Sequence, residues 1–180
     1  MADAVKIILG GEIGCGKSTV VRAAMKHLGW ERPAGFFTHW DGQGRGADRL
    51  YFETWSGERR VLARRSAKSA ECGDPPYEID RGSFEQAAVA SLAPAASGRP
   101  VVIDELGVIE LAAPEFTAAI AELFRGSAPV LAVIQRRALE RWLVVVGREH
   151  ITQFIEVDSA TRAGLPGRIV ALFRAGWPAS

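Results

Sequence analysis

Apolar positions along this chain follow two rhythms. Short, nearly unbroken runs occur at Val5–Leu9, Val101–Ile103 and Pro129–Ile134. Runs of that kind suit strands buried on both faces of a sheet. Between them, apolar residues recur every three or four positions, as in Phe116, Ile120, Leu123 and Phe124 after Pro114, which predicts a helix. The same reading predicts helices from Ser18 to Leu28, from Phe84 to about Leu92 and around Gly167–Arg174, the last entered through Asp158 or Thr161. Ser83, with Gln86 completing a capping box, is the preferred cap of the second; Asp80 is the alternative. Leu139–Val145 reads as helical, against the preference of its β-branched valines. Further strands are predicted at Gly35–Trp40, Leu50–Thr54, Arg60–Ala63 and Phe154–Val157. The turn at Ser56-Gly57 makes the middle ones antiparallel hairpins. Residues 64–79 read as a loop, with Asp74-Pro75-Pro76 as its breaker. Strands alternating with helices predict an α/β domain over residues 1–180. It has a mostly parallel sheet, helices on both faces and an added β-hairpin region.

Candidate chemistry sits where the first strand gives way to the first helix. Gly11-Glu12-Ile13-Gly14-Cys15-Gly16-Lys17-Ser18-Thr19 fits G-x-x-x-x-G-K-[ST], the phosphate-binding loop. Its glycines let main-chain N–H groups turn inward, and the helix that follows adds positive potential. Residues 11–19 are therefore the candidate nucleotide-binding set, with Lys17 reaching β- and γ-phosphates and Ser18 ligating Mg²⁺. The chain has only four lysines, Lys6, Lys17, Lys26 and Lys68, and one stands where the loop needs it.

A second element has the form of a Walker B strand. Val101-Val102-Ile103 ends in Asp104-Glu105. An acid closing an apolar strand is placed to hold Mg²⁺ opposite Ser18, which is the expectation for Asp104. Glu105, next to it, is the candidate for orienting or deprotonating an attacking water. Gln135 ends the strand Leu131–Ile134. If that strand lies between the other two, Gln135 faces the γ-phosphate as a sensor. Arg136 and Arg137 follow, and one of them is a candidate for stabilising charge on a transferring phosphoryl group.

Composition narrows the setting without changing this picture. Hydrophobic residues make up 48% and charged residues 24% of the chain, with a formal net charge of +1, so no global field draws nucleic acid or an anionic membrane. No apolar run reaches bilayer-spanning length, and the N-terminus lacks signal-peptide features. Cys15 and Cys72 have no motif spacing, and His27, His39 and His150 are scattered. A cytoplasmic protein is the expectation.

With these segments in view, the chain resembles the small P-loop nucleoside-triphosphatases of the thermophile type. Lys6-Ile7-Ile8 into the loop is similar to the family's opening, and Gly35-Phe36-Phe37-Thr38 to its G-F-[FWY]-T strand. Gly57 to Arg64 is similar to its G-x-R…L-A hairpin, Tyr77 to Asp80 with Ser83-Phe84-Glu85 to its Y-x-V-D…F-E segment, and Ile103 to Leu111, most specifically after the loop, to I-D-E-I-G-x-M-E-L. The resemblance implies a RecA-like P-loop fold with an extra central strand. It also implies slow, Mg²⁺-dependent hydrolysis of ATP, GTP, CTP and UTP to diphosphate and phosphate. Lys17 and Glu105 are implied as catalytic and Ser18 and Asp104 as Mg²⁺ ligands. Arg162, the arginine left of the family's E-N-R, is implied to border the base. Three positions depart from the family: His39-Trp40-Asp41 follow Thr38, Ala160-Thr161 precede Arg162, and Gln135 replaces an apolar residue or proline. The same elements also suit a phosphotransferase or a nucleotide-operated binding switch. A Ras-like reader of guanine is disfavoured, because N-K-x-D needs an asparagine and the chain has none.

Overall fold

The computed structural model describes residues 4–42, 48–65 and 77–176. Among these residues, eight strands form one sheet in the order β5-β4-β3-β2-β6-β7-β1-β8. In chain order these are β1 (Lys6–Gly10), β2 (Ala34–Trp40), β3 (Arg49–Thr54), β4 (Arg59–Arg65), β5 (Tyr77–Ile79), β6 (Val101–Leu106), β7 (Val130–Ile134) and β8 (Gln153–Glu156). Among the described residues the α-helices are α1 (Lys17–Leu28), α2 (Arg81–Leu92), α3 (Pro114–Arg125), α4 (Leu139–Val146) and α5 (Leu165–Gly176). Strands β2, β6, β7, β1 and β8 run parallel, while β3, β4 and β5 extend the sheet antiparallel from β2.

Side chains alternate across the sheet into two cores, as a pleated strand requires. Ile7, Leu9, Val102, Leu131 and Val133 face α1 and α5, packing on Val20, Val21, Ala24, Ile169 and Phe173. Ile8, Phe36, Phe52, Ile103, Ala132 and Ile134 face α2, α3 and α4. There, rings of Phe36, Phe52, Phe84, Phe116 and Trp142 form a continuous edge-to-face and tilted chain, with neighbouring centroids 4.7 to 6.2 Å apart. On the opposite face of the extension, the Arg22 guanidinium lies 4.7 Å from the Phe37 ring centroid and 5.4 Å from that of Trp55. Among the described residues, no helix is long and apolar enough to cross a membrane.

Two expectations change. Asp80, not Ser83, caps α2: its carboxylate accepts from Ser83 N at 3.1 Å, and the helix starts at Arg81. Asp80 is fixed there because its own N–H donates to Leu62 O within β4. A charged acceptor at the exit of a strand supplies the cap before the serine is reached. The segment read as a loop holds structure at both ends. Strand β4 runs to Arg65, and Tyr77–Ile79 pairs with it as β5. A three-residue edge strand is too short to show a period. The breaker Asp74-Pro75-Pro76 lies outside the described residues. Helix α4 forms despite its valines because Trp142, Leu143 and Val146 are buried, while Val144 is 83% exposed. Burial of the apolar stripe outweighs propensity.

Candidate active site

Because β1, β6 and β7 are parallel, their C-terminal ends open at one sheet edge, where α/β folds bind ligands. Gly11 to Gly16 connect β1 to α1 there. Gly16 caps the helix in the left-handed region at φ 102°, and a Cβ on it would lie 3.3 Å from Arg162 Cδ. A side chain at Gly11, φ 141°, would strike the Val157 carbonyl at 2.5 Å. Glycine is therefore required at both positions. No side chain caps α1 and no acid occupies its first turn, which leaves its leading N–H groups to face a bound anion. Lys17 is 7% exposed, and its ammonium lies inside the loop, donating to Gly11 O at 2.9 Å and Glu12 O at 2.8 Å. Ile13 stands at the loop tip, 95% exposed.

Strand β6 brings the acids. Asp104 is 5% exposed and shares the cleft with Ser18, whose hydroxyl acts electrostatically on its carboxyl. Burial pushes its pKa from 3.8 up to about 6. The Glu105 charge adds to that rise, while the Ser18 hydroxyl, Arg22 and Lys17 oppose it. Glu105 occupies a register shift between Asp104 and Leu106, so it has no direct partner on β7. Such an irregularity re-aims a side chain away from the ladder. Ile13, Gly14, Gly16, Lys17, Ser18 and Thr19 enclose one cleft with Asp104, Glu105 and Thr38 of β2, about 270 Å³ in volume.

Strand β7 lies between β1 and β6, the placement on which the expectation for Gln135 depended. Its side-chain amide donates to Glu105 Oε1, and its carbonyl accepts from Arg137 Nε at 3.2 Å. Arg136 turns the other way. It bonds Glu12 of the loop at 2.9 Å and also Glu156 on β8, bracing the loop against the sheet. Arg162 packs over Gly16. Gln135 thus touches the cleft through Glu105, Arg162 through Gly16 and Cys15 through Lys17, whose Nζ is 3.9 Å from its Sγ, while Arg136 and Arg137 bond to Glu12 and Gln135, outside the cleft lining.

Residues outside the sequence expectations also converge here. Arg22, one turn beyond Ser18 on α1, acts electrostatically on Asp104. Its spacing from Ser18 was the only available signal. Thr38 reaches the cleft because β2 pairs with β6, Phe37 opposite Asp104. Glu110 is 4% exposed and accepts from Gly107 N at 2.8 Å. Burial raises its pKa from 4.5 to about 7. The Glu105 charge adds to this, while main-chain hydrogen bonds and Arg137 oppose it. Trp142 Nε1 donates to Gly107 O at 2.9 Å, so the residue after β6 is held from both sides.

The oxygen donors Ser18 and Asp104 are the hard ligands a small divalent cation prefers, and a cation would relieve the cost of ionising buried Asp104. Among the described residues no cluster of three or more His, Cys, Asp or Glu forms a metal cage. A site completed by water and substrate phosphate, as is usual for Mg²⁺, fits this pair.

A family model described as NTPase matches residues 6–170. The chain is 29% identical over 177 residues to the nucleoside-triphosphatase THEP1 of Methanosarcina barkeri, covering 94% of this chain and 98% of that one. It is 28% identical over 158 residues to the protein of the same name from Thermococcus kodakarensis, covering 84% and 87%. The solution structure of a human cancer-related nucleoside triphosphatase matches with a TM-score of 0.76 at 26% identity, over 96% of this chain and 98% of that chain. The crystal structure of THEP1 from Aquifex aeolicus shares the fold, with a TM-score of 0.74 at 24% identity, over 94% and 99%.

Proposed function

Because the chain belongs to the NTPase family, whose model spans residues 6–170, we propose that it hydrolyses nucleoside 5′-triphosphates to diphosphate and phosphate. The observation that carries this reading is the meeting of the Ser18 hydroxyl and the Asp104 carboxylate beside a loop that encloses Lys17. Charge on a triphosphate is met by the leading N–H groups of α1 and by the Lys17 ammonium, which exchanges loop carbonyls for β- and γ-oxygens. Ser18 and Asp104 would hold Mg²⁺, and the ion would supply positive charge to offset that of the phosphate oxygens. Glu105 orients a water for in-line attack on the γ-phosphorus and accepts its proton. Arg162, over Gly16, borders the nucleotide. Residues 1–180 act as one NTPase unit in the cytoplasm, where triphosphates and magnesium occur together.

The cleft is lined by loop amides, a lysine, hydroxyls and acids, groups that read phosphate and metal rather than a base edge. That supports broad use of ATP, GTP, CTP and UTP. The test is phosphate release from each of the four, with and without Mg²⁺, using wild type and Glu105→Gln. Release from several triphosphates, dependent on Mg²⁺ and lowered about a hundredfold by Glu105→Gln, is expected. No release from any of them would overturn the proposal. Label transferred to an added hydroxyl acceptor in preference to water would move it to phosphotransfer.

A further inference from the structure

We propose that Gln135 is a positioning residue that holds the Glu105 carboxylate at its working angle, an inference that rests on the water-activating role of Glu105 given above. Glu105 lies at an irregularity of β6, so ladder pairing with β7 does not set its direction. Something else must, because a carboxylate that swings freely serves an attacking water poorly. Gln135 is built for that task. Its N–H donates to Leu106 O at 3.0 Å, which locks its main chain to the residue after Glu105. Its side-chain NH₂ group then donates to Glu105 Oε1, which leaves Oε2 to take a proton from water.

The amide's orientation follows from its neighbours. Its carbonyl accepts from Arg137 Nε at 3.2 Å. Turned over, the amide would set a carbonyl against a carboxylate and an NH₂ group against a guanidinium, two repulsive contacts. The amide rests on Gly107. A Cβ at that position would lie 2.6 to 2.8 Å from Gln135 Oε1, Cδ and Nε2. Gly107 cannot drift, since Glu110 holds its N–H and buried Trp142 holds its carbonyl. The amide is therefore confined by β7, by the segment after β6 and, through Trp142, by α4. An apolar residue or proline at position 135 has no group to donate to Glu105.

Two perturbations of different kind test this. Gln135→Leu removes the amide. Gly107→Ala leaves it but pushes it off Glu105, which the flexible end of the glutamine side chain permits without unfolding the site. Single-turnover phosphate release, KM and the affinity for a nonhydrolysable triphosphate are measured for both, with thermal unfolding as a check on folding. The expected result is a fall in turnover of about tenfold or more, with KM and analogue affinity unchanged, in each variant. Adding Gly107→Ala to Gln135→Leu should lower turnover no further. Neither should have an effect once Glu105→Gln is present, because the group they position is gone. Wild-type turnover in Gln135→Leu would overturn the proposal. So would an undiminished fall in the Glu105→Gln background, since that places the action of Gln135 elsewhere. Full turnover in Glu105→Gln alone would instead remove the water-activating role, and the positioning role with it.

Discussion

Glu110→Gln separates the ionisation of a buried acid from its hydrogen bond. The Glu110 carboxyl is enclosed after β6, and burial raises its pKa from 4.5 to about 7, with Glu105 adding to the rise and Arg137 opposing it. In the folded protein it keeps a proton that the unfolded chain has already released over that interval. The folded state therefore binds more protons, and stability falls as pH rises from about 4.5 to about 7. Once ionisation is complete, the destabilisation reaches about 3 kcal/mol. Glutamine keeps an oxygen for Gly107 N–H and cannot ionise. Its NH₂ group needs a partner of its own, a cost of about 1–2 kcal/mol that is the same at every pH. The variant should therefore be slightly less stable than wild type near pH 5 and more stable near pH 8. Urea unfolding at the two pH values, without nucleotide and with chelator, measures this. In temperature the crossover amounts to a few degrees, at about 2–4 °C per kcal/mol for a chain of this size. Asp104 titrates in both proteins and cancels from the difference. A stability difference between variant and wild type that stays constant from pH 5 to pH 8 would refute the assignment of a buried, proton-retaining Glu110.

Lys17→Ala should abolish measurable phosphate release and weaken triphosphate binding in calorimetry; retained tight binding would contradict its place against the phosphates. Removing divalent cation with chelator should stop hydrolysis. Mg²⁺ affinity should fall as pH drops through about 6, because burial keeps a proton on Asp104 below that value and the proton competes with the metal; a Mg²⁺ titration across pH reads this directly. Trp142→Phe should destabilise the fold by about 1–2 kcal/mol by leaving the Gly107 carbonyl without its donor, measured by chemical unfolding.

What the sequence disclosed and what it hid divide along the range of the interactions. The loop from Gly11 to Thr19 and the acid-ended strand Val101–Glu105 are written in consecutive residues, so a motif suffices to single them out as candidates. That Asp104 meets Ser18 follows from strand order, which alternating elements and the family resemblance together imply. Thr38 was hidden because it reaches the cleft only through the pairing of Phe37 with Asp104, a register between segments 67 residues apart. Glu110 was visible as part of Ile103–Leu111, yet nothing local shows that it is buried or that it holds Gly107. Asp80 and Ser83 differ as caps only through where β5 ends. Gln135 was placed by its strand, but its engagement with Glu105 depends on side-chain geometry at the ends of two strands.

The insertion of β7 between β1 and β6 fixes a distance that no single residue controls. Neighbouring strands lie about 4.8 Å apart, so the strand feeding the loop and the strand bearing the acids are separated by about 10 Å. For the proposed hydrolysis, a gap of that size is wide enough for a phosphoryl group, a cation and one water side by side. Had β6 lain against β1, the acids would crowd the loop and leave no lane for an incoming nucleophile. Spacing between reactants is thus an architectural property here, beyond the reach of point substitution.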